Sequence, residues 1–98
     1  MNVIARRTLI SFWTKHPQAE TPLKVWFAEA RAAEWSGPQD IKDRLGTAVD
    51  FLSENRVVFD VGGNKYRLIV RIAYRHKHVL VKFVGTHAEY DRIDATLI

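Results

Sequence analysis

Apolar residues recur at two different spacings along this chain. After a short opening segment, Asn2 to Ala5, that reads as a first strand, Leu9, Phe12, Trp13 and His16 fall at i, i+3, i+4 and i+7, one face of a helix. Pro17 ends that helix, because proline disfavours helical geometry in the residue before it. Thr21 and Pro22 then read as an N-cap and a first helical position, where the missing N–H costs nothing. Leu23, Trp26, Phe27, Ala30 and Ala33 carry a second apolar stripe up to the stop at Ser36-Gly37-Pro38, so two antiparallel helices are expected. Asp40 to Leu45 should add a helical turn. Gly46 to Asn55 should be a loop that packs down through Ala48, Val49, Phe51 and Leu52.

From Arg56 the period changes to two. VVFDV, the turn residues Gly62-Gly63-Asn64, and KYRLIVRIAY make a β-hairpin signal, since glycine and asparagine tolerate the positive φ of tight turns. A second turn at Arg75 to His78 leads to a third strand, Val79 to Val84. Thr86-His87-Ala88-Glu89 has capping-box spacing, which predicts a short terminal helix. The expected fold class is α+β: a first strand, two helices packed on an antiparallel sheet, and a short C-terminal helix.

Composition narrows the class. A chain of 98 residues is expected to form one domain over 1–98 and to bury roughly two-thirds of its unfolded surface, so no staple is required. It has no cysteine, which excludes disulfides and thiolate metal sites. The opening lacks a signal-peptide pattern and no window is apolar enough to span a bilayer, so a soluble cytoplasmic protein without membrane association is expected. The net charge of +4 is mild, but Arg56 to Lys82 holds seven basic residues against the single acid Asp60. Such concentration is the usual footprint of a polyanion site.

Alternation places Tyr66, Leu68, Val70, Ile72 and Tyr74 on a core face, and Lys65, Arg67, Ile69, Arg71 and Ala73 on the other. By the same parity Lys82 goes with Leu80 and Val84, opposite Val79, Val81 and Phe83. A charged outer face is ordinary in antiparallel sheets. The sign is not ordinary, because no acid occurs from Lys65 to Gly85. His87, Tyr90 and Asp91 share one side of the predicted terminal helix. At a helix start, partial positive charge favours phosphate and a neutral imidazole, which can act as a base; the alternative is a plain cap with Tyr90 packing. His76 and His78 read as a solvated turn rather than a metal site, and Gly62-Gly63-Asn64 lacks the context of a nucleotide loop.

The run NRVVFDVGGNKYRLIVRIAYRHKHVLVKFVGTHAEYDRID, Asn55 to Asp94, resembles the signature region of HigB-family toxins, a branch of the RelE-like mRNA interferases. MNVIARRTL, the tryptophan-bearing helices and GPQDIKDR extend the likeness over nearly the whole chain. The resemblance implies a RelE-like fold whose second sheet face is open to RNA. It also implies cleavage of messenger RNA on the ribosome by attack of the RNA's own 2′-hydroxyl, with no metal or cofactor. Carried over, Arg67 would hold the scissile phosphate with Lys82 nearby, and His87 and Tyr90 would supply acid, base or stacking roles. Asn64, Lys65 and Arg71 would bind RNA. The implied partners are a cognate antitoxin, HigA-like and carrying a DNA-binding helix-turn-helix, together with mRNA and the ribosome. On the residues alone, a non-catalytic RNA-binding module or a basic subunit interface explains the charge equally well.

Overall fold

A computed structural model describes Met1 to Ile98. The elements are β1 (Asn2–Ile4), α1 (Arg6–Lys15), α2 (Glu20–Ala32), α3 (Pro38–Leu45), β2 (Val49–Phe51), β3 (Arg56–Val61), β4 (Tyr66–Ala73), β5 (His78–Thr86) and α4 (His87–Asp91). Single 3-10 turns occupy Pro17–Ala19, Gly46–Ala48 and Ala95–Leu97. No helix is long and apolar enough to cross a membrane.

The start of α2 differs from the sequence reading. The 3-10 turn at Pro17–Ala19 runs straight into the helix at Glu20, so Thr21 and Pro22 lie inside its first turn instead of forming cap and first residue. Proline is tolerated there because first-turn N–H groups have no intrahelical partner. The segment read as loop also differs, since Val49–Phe51 forms an edge strand on β3, in register Val49↔Phe59, Asp50↔Val58 and Phe51↔Val57. Three residues are too short a run for a period of two to register. The expected helical turn after Pro38 is an eight-residue helix, α3.

The sheet order is β1-β5-β4-β3-β2, antiparallel throughout except that β1 runs parallel to β5. The helices close one face of it. Leu9 and Phe12 from α1, Leu23 and Trp26 from α2 and Ile41 from α3 bury against Val57, Phe59, Leu68, Val70, Ile72, Val79 and Val81. Phe59 sits between two tryptophans, edge-on to Trp26 at 5.5 Å and stacked on Trp35 at 6.1 Å.

A β-bulge interrupts β5 and corrects the sequence parity. Phe83 pairs with Ile69 and Val81 with Val70, which leaves Lys82 as the extra residue without a partner. Beyond the bulge the faces exchange. Val84, opposite Leu68, packs against the core, and Phe83 shares the reverse face with Ile69 and Arg67. Simple alternation, with no signal for an inserted residue, assigns both the wrong way round.

The reverse face is also less open than the resemblance implied. Val58 and Ile69 pair across β3 and β4 on that face, and both are shut from solvent at 1% and 0% exposure. The chain from α4 to Ile98 starts and ends on this face. Tyr90 stands beside Arg67 at one end, and at the other the Arg56 Nε donates to the Ile98 carbonyl at 2.8 Å.

Candidate active site

Helix α4 is fixed to the sheet by three devices. The capping box read from the sequence is present: Thr86 Oγ1 accepts from the Glu89 amide at 3.2 Å, and the Glu89 carboxylate accepts from the Thr86 amide at 2.9 Å. The His87 amide donates to the Lys65 carbonyl at 3.2 Å, which ties the helix start to the β3–β4 turn. Gly85 supplies close approach, since a Cβ there would meet the Phe83 ring at 2.6 Å and the Glu89 Cβ at 3.2 Å. Thr86→Ala should therefore lower the unfolding free energy by about 1 kcal/mol, measured by urea titration. The Thr86 amide holds the Glu89 carboxyl below its ordinary pKa. The box's stabilisation is accordingly present above the ordinary carboxylate range and lost as pH falls through the lowered value; Glu89→Gln should lose that acid-side dependence, whereas Thr86→Ala keeps the backbone amide and with it most of the dependence.

Arg67 projects from β4 into a set of fixed partners. Its Nε lies 3.1 Å from Asp60 Oδ1 on the neighbouring strand, where the two residues are paired in register. A terminal nitrogen donates to the Asn64 carbonyl at 3.1 Å, and the guanidinium carbon stands 5.9 Å from the centroid of the Tyr90 ring. The side chain is 11% exposed. The one acid of the basic stretch is thus the residue that holds its central arginine, so the face is not free of negative charge.

Burial pushes the Tyr90 phenol above its ordinary pKa, and the charge of Asp50 adds to this against the opposing effect of Arg67. Tyr90 consequently keeps its phenol proton through the neutral range. Asp50 reaches the site from β2, the strand that the sequence reading missed. His87 stands three residues before Tyr90, half exposed, with its Nδ1 2.9 Å from Asp91 Oδ2. When Nδ1 carries the proton it donates to Asp91, and Nε2 is left with its lone pair facing outward from that contact.

Of the residues singled out by sequence, Arg67 and Tyr90 meet at one end of β4, and the backbone of His87 is tied to Lys65 in the adjoining turn, which also holds Asn64. Lys82 stands exposed at the bulge, and no hydrogen bond or ion pair joins it to the other three. Arg71 lies four residues along the strand from Arg67, about 13 Å away at the rise of a β-strand. Arg56 pairs with Glu54 at 2.9 Å and Lys77 with Glu34 at 3.9 Å. Lys65, Arg71, Arg75 and Lys82 carry no ion pair. The His76 and His78 rings stand 6.3 Å apart and tilted, and no group of three or more histidine or carboxylate side chains is arranged to hold a metal.

Sequence reasoning did not find Asp50, the pairing role of Asp60 or the close approach at Gly85. Asp60 was visible as the lone acid in a basic run. The other two depend on an unrecognised strand and on a contact across the sheet.

Comparison with known proteins places this arrangement in a family. The chain is 28% identical over 94 residues to the "mRNA interferase HigB" of Escherichia coli O6:H1, covering 95% of this chain and 91% of that protein. It is 26% identical over 92 residues to the "mRNA interferase toxin HigB" of Escherichia coli K12, covering 93% and 88%, and equally so to the "mRNA interferase HigB" of Shigella flexneri. The family model described as HigB_toxin, RelE-like toxic component of a toxin-antitoxin system, matches residues 19–93, three-quarters of the chain that include the Arg67, His87 and Tyr90 cluster. This chain therefore belongs to the HigB_toxin family, the RelE-like toxic components of toxin-antitoxin systems.

Proposed function

We propose that this toxin is an endoribonuclease that cleaves messenger RNA, engaged on the ribosome, through attack of the 2′-hydroxyl on the adjacent phosphorus. The observation that carries this reading is the Arg67–Tyr90 contact at the start of β4, with an Asp91-held His87 one turn before Tyr90 on α4. The names borne by its relatives support it.

The chemistry needs a base, a charge clamp and an acid. His87 Nε2 accepts the 2′-hydroxyl proton as the oxygen attacks phosphorus in line. The Arg67 guanidinium stabilises the added negative charge on the phosphoryl oxygens. The Tyr90 phenol, protonated at neutral pH, delivers a proton to the departing 5′-oxygen. The products are a 2′,3′-cyclic phosphate and a 5′-hydroxyl. Asp60 and Asp91 position Arg67 and His87 and do not themselves touch the RNA.

The test is cleavage of a defined message by the purified toxin, with and without ribosomes, with both product ends identified. Cyclic phosphate and 5′-hydroxyl ends support the reading. Binding that shifts RNA without cutting it would return the protein to a non-catalytic module, and 3′-hydroxyl ends would exclude the 2′-hydroxyl route.

Membership in the family implies an antitoxin partner. We take that partner to be HigA-like, with a helix-turn-helix, and the pair to act in the cytoplasm. Induced expression should then arrest growth, and co-expression of the neighbouring gene should relieve it.

RNA affinity should rest on the cations that are free in the unbound protein. Each phosphate neutralised releases counterions, so losing Lys65, Arg71 or Lys82 should reduce the slope of log K against log salt by about 0.7 on single-stranded RNA. Arg67→Ala should change that slope less, because the Arg67 charge is already partly neutralised by Asp60 at 3.1 Å. Equal slopes for all four variants and the wild type would remove this surface from the interface.

A further inference from the structure

A polar pocket lies on the other flank of α4. Lys15, His16, Pro17, Gln18 and Tyr66 enclose a volume of about 210 Å³ where α1 ends. Tyr66 pairs in register with Thr86, the cap of α4, so the pocket abuts the helix that carries His87. His16 is close enough to Glu89 for its charge to add to the lowering of that carboxyl pKa, which the Thr86 amide dominates. The pocket and the Arg67 cluster thus border the same short helix from two sides.

Its side chains are arranged for a flat aromatic ligand. The His16 ring is held in a stack on Phe12, 4.4 Å between centroids and 23° between planes. Its backbone is fixed at both ends, the amide donating to Phe12 at 2.9 Å and the carbonyl accepting from Ala19 at 2.8 Å. Lys15 and Gln18 are exposed and make no hydrogen bond or ion pair within the protein. An aromatic platform, an uncommitted amide and an uncommitted ammonium are the groups that recognise a base of single-stranded RNA: a face to stack on, a donor and acceptor for its edge, and a cation for its phosphate.

We propose that this pocket receives a nucleobase flanking the scissile phosphate, with the His16 ring as the stacking face above a floor of Tyr66, Gln18 reading the base edge and Lys15 holding the neighbouring phosphate. The pocket is then the specificity subsite of the ribonuclease, and the proposal rests on that reading. RNA would bend around α4, so that the cut occurs at His87 and the choice of where to cut is made at His16 and Gln18.

The experiment maps cleavage ends on ribosome-bound message of mixed sequence for the wild type, Gln18→Ala, His16→Leu and His87→Gln, each checked for an unchanged thermal melt. A good side-chain pairing with a base edge discriminates by on the order of ten-fold. Gln18→Ala and His16→Leu should flatten the base preference at one position beside the cut by that factor. His87→Gln should reduce the total amount of cutting while the residual cuts keep the wild-type preference. A wild type without base preference beside the cut, or a preference retained in both pocket variants, overturns the subsite and leaves the ribonuclease reading standing. Absence of any cut by the wild type overturns both.

Discussion

His87→Gln should slow single-turnover cleavage by roughly 10²- to 10⁴-fold, the usual loss when a positioned proton-transfer group is removed. The expectation rests on placement. The ring is half exposed at the start of α4 with Nδ1 2.9 Å from Asp91, which leaves Nε2 for the substrate. Glutamine keeps comparable size and polarity but cannot take up the proton. Because the capping box belongs to Thr86 and Glu89, the fold should survive. Tyr90→Phe should also lower the rate, through loss of the phenol proton. Any limb due to Tyr90 itself lies above the ordinary tyrosine range, since burial raises the phenol, and activity through it is lost as pH rises past that value. Asp91→Asn serves as the intermediate case, retaining His87 while removing the carboxylate that orients it. A His87→Gln protein with the wild-type rate would reduce the residue to part of the helix start, and the base would have to be sought at Lys82 or Tyr90.

Arg67→Ala should lower the same rate constant by roughly 10²- to 10³-fold, the range found for losing one donor aimed at developing charge. Here the loss has two physical parts. The guanidinium no longer meets the phosphoryl oxygens, and Asp60 is left without its cation beside Tyr90. That second change would raise the Tyr90 pKa further, because Arg67 is the group that holds it down. Arg67→Lys should recover little, since an ammonium cannot engage Asp60 and a phosphate through a planar fork. Lys82→Ala should weaken binding with a smaller effect on the rate at saturating RNA, as Lys82 stands at the bulge away from the cluster. Unchanged saturating cleavage by Arg67→Ala would show that the arginine organises the sheet face and does not clamp the reaction.

The contrast between Arg67 and Lys82 shows what local pattern can and cannot carry. The helices, the hairpin and the α4 cap were legible because each rests on short-range physics. A 3.6-residue apolar stripe made the helices, Gly62, Gly63 and Asn64 take the positive φ the turn requires, and Thr86 and Glu89 satisfy each other's amides within four residues. The same pattern placed Arg67 on a strand face and His87 and Tyr90 on one helical turn, while the roles expected of them came from the family resemblance. Tertiary structure decided the rest. The bulge at Lys82 exchanged the faces of Phe83 and Val84, which no alternating pattern announces because a single inserted residue leaves both halves of the strand regular. The pairing of β1 with β5 and of β2 with β3 is set by which edges are left free once the core is packed, and three-residue strands carry too little periodicity to declare it. Through β2 and the register of β3, the fold brought Asp50 towards Tyr90 and Asp60 against Arg67. The central arginine of a basic run thereby became a carboxylate's partner while Lys65, Arg71, Arg75 and Lys82 stayed unpaired, since electrostatic environment depends on distance through space, and only the folded sheet fixes that distance.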